Sequence, residues 1–137
     1  MSARHLDLSS ALASCTMAGL DTPVAAEIDR AVHQALDEDI GSGDLSAALL
    51  PDRSAHARIL TREDAVVCGL PWALRCFAAL DPEARFTLHA RDGERVDADT
   101  VILEINARSR ALVSAERCAL NFLQTLSGTA TETARYV

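Results

Sequence analysis

Phe86-Thr87-Leu88-His89-Ala90-Arg91-Asp92-Gly93, followed after a polar gap by Val101-Ile102-Leu103-Glu104-Ile105-Asn106, is the stretch on which the fold class turns. In the first segment Phe86, Leu88 and Ala90 alternate with Thr87, His89 and Arg91. In the second, Val101, Leu103 and Ile105 alternate with Ile102, Glu104 and Asn106. A period of two sends successive side chains to opposite faces of a strand, so both segments read as strands with one apolar face. Asp92-Gly93 between them is a hairpin dipeptide, because its residues tolerate the positive φ of a tight turn. A doubly wound α/β fold needs long crossovers between successive strands, and a hairpin signal disfavours it. The expectation is an α+β domain, an antiparallel or mixed sheet with helices packed on one face.

Upstream, Ala55 to Thr61 alternates in the same way, and Ala65-Val66-Val67-Cys68 before Gly69 reads as a second short strand pairing with the first. Pro71 opens a compact helix through Trp72, Leu74, Phe77, Ala78 and Leu80 that stops at Asp81-Pro82 and should cover the sheet. Trp72, Phe77 and Phe86 are core candidates. Thr22-Pro23 caps an earlier helix, in which Val24, Ile28, Ala31, Val32 and Ala35 share a face and which should end near Asp37. Glu38-Asp39-Ile40-Gly41-Ser42-Gly43-Asp44 then reads as a tightly shaped loop. Its acids do not have the spacing of a calcium loop. Residues 1–21 show no period and are expected to form a flexible tail, with an α+β unit over 22–110 and a closing helix over 111–137.

That closing helix carries the most specific information. Taking 100° per residue, Arg110, Ser114, Arg117, Asn121, Gln124 and Gly128 fall within about 80° of one another, opposite Leu112, Ala115, Ala119, Phe122, Leu123 and Leu126. An ordinary solvated face pairs Lys with Glu, whereas this stripe sets two arginines among neutral amides and hydroxyls. A guanidinium so placed can grip a carboxylate or phosphate through two parallel hydrogen bonds. The competing reading pairs Arg117 with an acid elsewhere in the fold.

Composition narrows the field further. A net charge of −7 with scattered basic residues excludes the basic stripe a nucleic-acid surface needs. No segment approaches the roughly 20 apolar residues of a membrane span. Cys15, Cys68, Cys76 and Cys118 lack both C-x-x-C spacing and histidines at zinc-ligand distance, so they read as reduced, mostly buried thiols of a cytoplasmic protein. Leu12-Ala13-Ser14-Cys15 has the form of a lipoprotein cleavage site, but Asp7 breaks the apolar run that a signal peptide requires. His33, His56 and His89 have no partner pattern that suggests a general base.

Ala115-Glu116-Arg117-Cys118-Ala119-Leu120-Asn121-Phe122-Leu123-Gln124-Thr125-Leu126-Ser127-Gly128-Thr129-Ala130-Thr131 resembles the hallmark segment of quinolinate phosphoribosyltransferases, E-R-T-A-L-N-F-L-Q-x-L-S-G-I-A-T. Leu36 to Ser46 resembles the same family's E-D-x-G-x-G-D-x-T loop, and Thr61 to Gly69 its next strand pair. The resemblance covers about Ala25 to Val137. Cys118 replaces the usual Thr, Thr129 an Ile, Ser46 a Thr and Asn106 a frequent Gly. Of these, Cys118 loses an oxygen beside Arg117, while Asn tolerates left-handed backbone and Ser keeps its hydroxyl.

The resemblance implies the hammerhead-like amino-terminal domain of type II phosphoribosyltransferases. It also implies a reaction that joins quinolinate to phosphoribosyl pyrophosphate, giving nicotinate mononucleotide, pyrophosphate and carbon dioxide. In that family magnesium holds the pyrophosphate, and its ligands, like most substrate-gripping residues, lie on a carboxy-terminal α/β barrel. Nine residues follow Gly128, too few for a barrel, so the chain alone is expected not to catalyse and to hold no metal of its own. Arg117 occupies the place of the family's arginine that reaches a substrate carboxylate in the neighbouring subunit, which implies a homodimer or larger homo-oligomer. Arg110 and Asn121 read as helpers or surface residues. Two alternatives stay open: the pyrophosphorylase-like protein associated with molybdate transport, and a non-catalytic binding or interaction module.

Overall fold

The computed structural model describes residues 5–16, 22–40, 49 and 51–135. In chain order they form α1 (Leu8–Ser14), α2 (Thr22–Ile40), β1 (Ser54–Leu60), β2 (Ala65–Val66), α3 (Leu70–Leu80), β3 (Arg85–Leu88), β4 (Arg95–Val96), β5 (Val101–Arg108) and α4 (Ser109–Ala134). β5 is the central strand of a three-stranded antiparallel sheet of order β1-β5-β3, and β2 pairs with β4 in a separate two-stranded sheet. The fold is therefore α+β, with antiparallel pairing throughout, and ends in a long helix.

The alternation in β1 and β5 is what buries one face. Ala55, Ala57 and Ile59 point inward between exposed neighbours, and Leu103, Ile105 and Ala107 of β5 are buried beside Phe86 of β3. α4 closes the core with Leu112, Ala115, Cys118, Ala119 and Leu123, against Ile28, Val32 and Leu36 of α2 and the buried face of α3. Trp72 is only partly buried, whereas Phe77 and Phe86 are fully buried.

Four sequence expectations are corrected. β1 and β2 do not pair with each other, because β1 takes β5 and β2 takes β4. α3 packs chiefly on α4, α2 and α1 rather than over the sheet. The Asp92-Gly93 turn, with Gly93 at φ 93°, does not close a hairpin between its flanking strands, since β3 pairs with β5 and β4 with β2. Within the supposed tail, residues 5–16 are built into the fold. Asp7 caps α1 by accepting from the Ser10 amide at 2.8 Å, Leu6 bridges to Phe86, and Ala11 and Cys15 have no exposed surface.

α2 also outruns its expected end by three residues, so Glu38 and Asp39 are helical; Gly41 to Asp44 lie outside the described residues. α4 begins at Ser109, whose hydroxyl donates to the Pro51 carbonyl at 2.6 Å and accepts from the Arg53 amide at 3.2 Å. Just before it, buried Asp81 accepts from the amides of Arg108 (2.9 Å) and Glu83 (3.0 Å), fixing the corner where β5 becomes helix.

Candidate functional site

The polar stripe on α4 is real. Arg110, Arg117, Asn121, Gln124 and Gly128 are exposed and Ser114 is half-buried, while Leu112, Ala115, Ala119 and Leu123 on the other side are buried. Arg117 has 84% of its side chain accessible, and its Nη1 donates to Asp39 Oδ1 of α2 at 3.2 Å. The competing reading of the sequence, in which Arg117 pairs with an acid elsewhere in the fold, is thereby found; a periodicity argument within α4 cannot name that acid, which lies 78 residues earlier. Beside it, Cys118 is turned inward, its Sγ 3.5 Å from the Ala35 carbonyl, and takes no place on the exposed face. Burial pushes its thiol up, with the Asp39 charge adding to the effect and Arg117 opposing it.

The remainder of the hallmark segment builds the frame. Ser127 and Thr131 stand one helical turn apart and face the outer edge of β2. Cys68 donates its amide to Ser127 Oγ at 2.9 Å, Ser127 donates its hydroxyl to the Cys68 carbonyl at 2.9 Å, and Val66 donates its amide to Thr131 Oγ1 at 3.0 Å. Four helical residues rise about 6.0 Å and two strand residues about 6.6 Å, so hydroxyls at i and i+4 match strand groups at j and j+2. α4 thus supplies hydrogen bonds that a neighbouring strand would otherwise give.

Gly69 permits the close approach. It sits at φ +107° before α3, and a Cβ there would lie 3.2 Å from the Phe122 carbonyl oxygen and from Leu126 Cδ1. Asp92 completes this corner from the opposite side, accepting from the amides of Leu70 (3.0 Å) and Gly69 (3.2 Å) as a cap donated to α3 from a distant turn. Burial raises its carboxyl pKa, and the two amide bonds pull it back.

On the opposite sheet face Glu104 is held between two histidines, with His89 Nε2 at 2.6 Å and His56 Nε2 at 3.1 Å. The hydrogen bond from His89 is the main cause that lowers the Glu104 pKa. Sequence reading gave these histidines no partner because each lies on a different strand segment from Glu104. Among the described residues no group of three or more His, Cys, Asp or Glu is arranged to hold a metal ion. No described helix is long and apolar enough to cross a membrane.

Residues 44–127, which include β1 through most of α4, match the family described as quinolinate phosphoribosyl transferase, N-terminal domain. The chain belongs to this family. It is 41% identical over 111 residues to a probable nicotinate-nucleotide pyrophosphorylase [carboxylating] of Synechocystis sp., covering 80% of this chain and 38% of that protein. To the corresponding Bacillus subtilis protein it is 37% identical over 97 residues, 70% of this chain and 34% of the other. Among solved structures, the nicotinate-nucleotide pyrophosphorylase from Francisella tularensis superposes with a TM-score of 0.75 at 37% identity, over 78% of this chain and 39% of that one. NadC from Streptococcus pyogenes gives 0.76 at 37% identity, over 81% and 41%. The chain thus spans between about a third and two fifths of the length of the relatives it matches.

Proposed function

We propose that this chain serves as the amino-terminal part of quinolinate phosphoribosyltransferase in NAD synthesis and acts by presenting Arg117 to a carboxylate of quinolinate bound in a neighbouring subunit. In the reaction the pyridine nitrogen forms a bond to C1 of the ribose as pyrophosphate leaves. The bond from the ring to the 2-carboxylate then breaks, carbon dioxide departs, and the ring carbon takes a proton. Quinolinate carries two carboxylates, so an arginine that holds one fixes the orientation of the ring.

The observation that carries this reading is the position of Arg117, which lies within the family's hallmark segment on a helix locked into the core yet leaves most of its side chain in solvent. A charge-assisted contact of this kind contributes about 1.5–3 kcal/mol. Magnesium, the pyrophosphate contacts and the proton transfers belong in this reading to the carboxy-terminal barrel of the full enzyme. The chain by itself is inactive, and its working form is a cytoplasmic homodimer or larger homo-oligomer.

The test mixes this chain with a full-length family enzyme carrying alanine at the position that matches Arg117, and follows magnesium-dependent pyrophosphate release from phosphoribosyl pyrophosphate and quinolinate. Restored activity with the wild-type chain, and none with Arg117→Ala, is the expected result. Turnover by the chain alone, or equal rescue by Arg117→Ala, overturns the assignment.

A further inference from the structure

α2 ends in Asp37-Glu38-Asp39, with no basic residue in its last turn. Three acids at the negative end of a helix dipole oppose the helix's own electrostatics, where Lys or Arg is the favourable choice. A local conflict of this kind points to a role outside the helix itself. The cation that answers Asp39 comes from α4, as Arg117 Nη1 at 3.2 Å.

Both partners stand on firm ground. Three residues before Asp39, Leu36 is 4% exposed in the core, and next to Arg117, Cys118 is 6% exposed with its Sγ against the Ala35 carbonyl. The Asp39 side chain is itself three-quarters covered, while 84% of the Arg117 side chain is exposed. The carboxylate is therefore a fixed post and the arginine the moving part. A guanidinium carries five N–H donors in a planar fork, and the bond to Asp39 uses one of them at Nη1. A bidentate edge stays available for a second carboxylate.

We infer that Asp39 is a positioning residue for Arg117: it holds the guanidinium by one Nη1 hydrogen bond so that the remaining fork faces a substrate carboxylate. This rests on the proposed role of Arg117. Without Asp39 the long side chain must be ordered by the substrate itself, and the entropy of that ordering weakens binding. The loss falls on substrate affinity and leaves turnover at saturation little changed.

Two measurements on the wild-type chain, Asp39→Asn and Asp39→Glu test this. Nitrogen-15 relaxation at Arg117 Nε reads side-chain order in the chain itself. An ordered guanidinium in wild type that becomes as mobile as that of the exposed Arg62 in Asp39→Asn, with partial recovery in Asp39→Glu, is expected. Equal mobility in wild type and Asp39→Asn overturns the inference without any assay. In the mixed assay described above, Asp39→Asn is expected to raise the quinolinate KM about fivefold, the upper range for an exposed ion pair, at nearly constant kcat. An unchanged KM in an active mixture overturns the role of Asp39 alone. An inactive wild-type mixture overturns the Arg117 assignment and takes this inference with it.

Discussion

Ser127 and Cys68 exchange a pair of 2.9 Å hydrogen bonds, with the Ser127 hydroxyl acting as acceptor for the Cys68 amide and donor to the Cys68 carbonyl, two residues past β2. Ala at 127 leaves both backbone groups partly buried without partners. Ser127→Ala should cost about 1–3 kcal/mol, measured as a lower urea midpoint with an unchanged slope. A loss no greater than that of an exposed control such as Thr133→Ala would show that the contact to β2 contributes nothing.

Gly69→Ala should be worse than a simple loss of freedom. The φ of +107° strains any L side chain, and the new Cβ meets the backbone carbonyl of Phe122 at 3.2 Å, which cannot move without shifting α4. A cost of roughly 1–3 kcal/mol is expected from the backbone alone. Thermal unfolding reads it, and an unchanged Tm would mean α4 does not press on this corner.

Glu104 and Asp92 should pull acid stability in opposite directions. Glu104 has its pKa lowered from the usual 4.5 chiefly by His89, so its contribution is complete above that value and is lost as pH falls through the lower folded-state value. Asp92 is raised above 3.8 by burial, so its contribution is present below that value and is lost as pH rises through the folded-state value. Glu104→Gln should flatten the decline in urea midpoint below about pH 4.5. A decline identical to wild type would remove Glu104 as its source.

The thiols give an independent check of packing. Burial pushes Cys15 and Cys76 up to about 12, and also raises Cys68 and Cys118. At pH 8 the folded chain should react very slowly with a thiol-disulfide reagent, because the thiolate is the nucleophile and is nearly absent. All four cysteines should titrate rapidly in denaturant. Fast labelling of Cys15 in the folded chain would detach α1 from the core.

Legibility in the sequence follows sequence distance. The two-residue alternation in β1, its apolar half in β5, the apolar face of α3 and the two-sided character of α4 depend on neighbours within a few positions and are found in the structure, whereas β3 buries Thr87 beside Phe86 and β5 buries Ile102 beside Leu103, so those strands are covered on both faces there. Strand partners depend on residues tens of positions away, and the early β1–β2 pairing failed for that reason. Asp92-Gly93 was read as hairpin chemistry, but its Asp serves the start of α3, a use that is invisible until the chain folds back. The Asp39 partner of Arg117 was hidden in the same way. For α1 a signal does exist, since Asp7-Leu8-Ser9-Ser10 has the form of a helix cap, but the short Ala- and Ser-rich run after it carries no clear period.

The match between α4 and β2 has a consequence for how the chain can vary. Because Ser127 and Thr131 fasten the helix to the edge of the strand, they set the rotational phase of everything upstream on the same rod. Removing one residue between Arg117 and Ser127 would turn the arginine by about 100° and slide it by about 1.5 Å relative to Asp39. Single substitutions along that interval leave the indexing intact. Insertions and deletions do not, so the ten residue steps from Arg117 to Ser127 form a ruler whose length is fixed even where its letters are free.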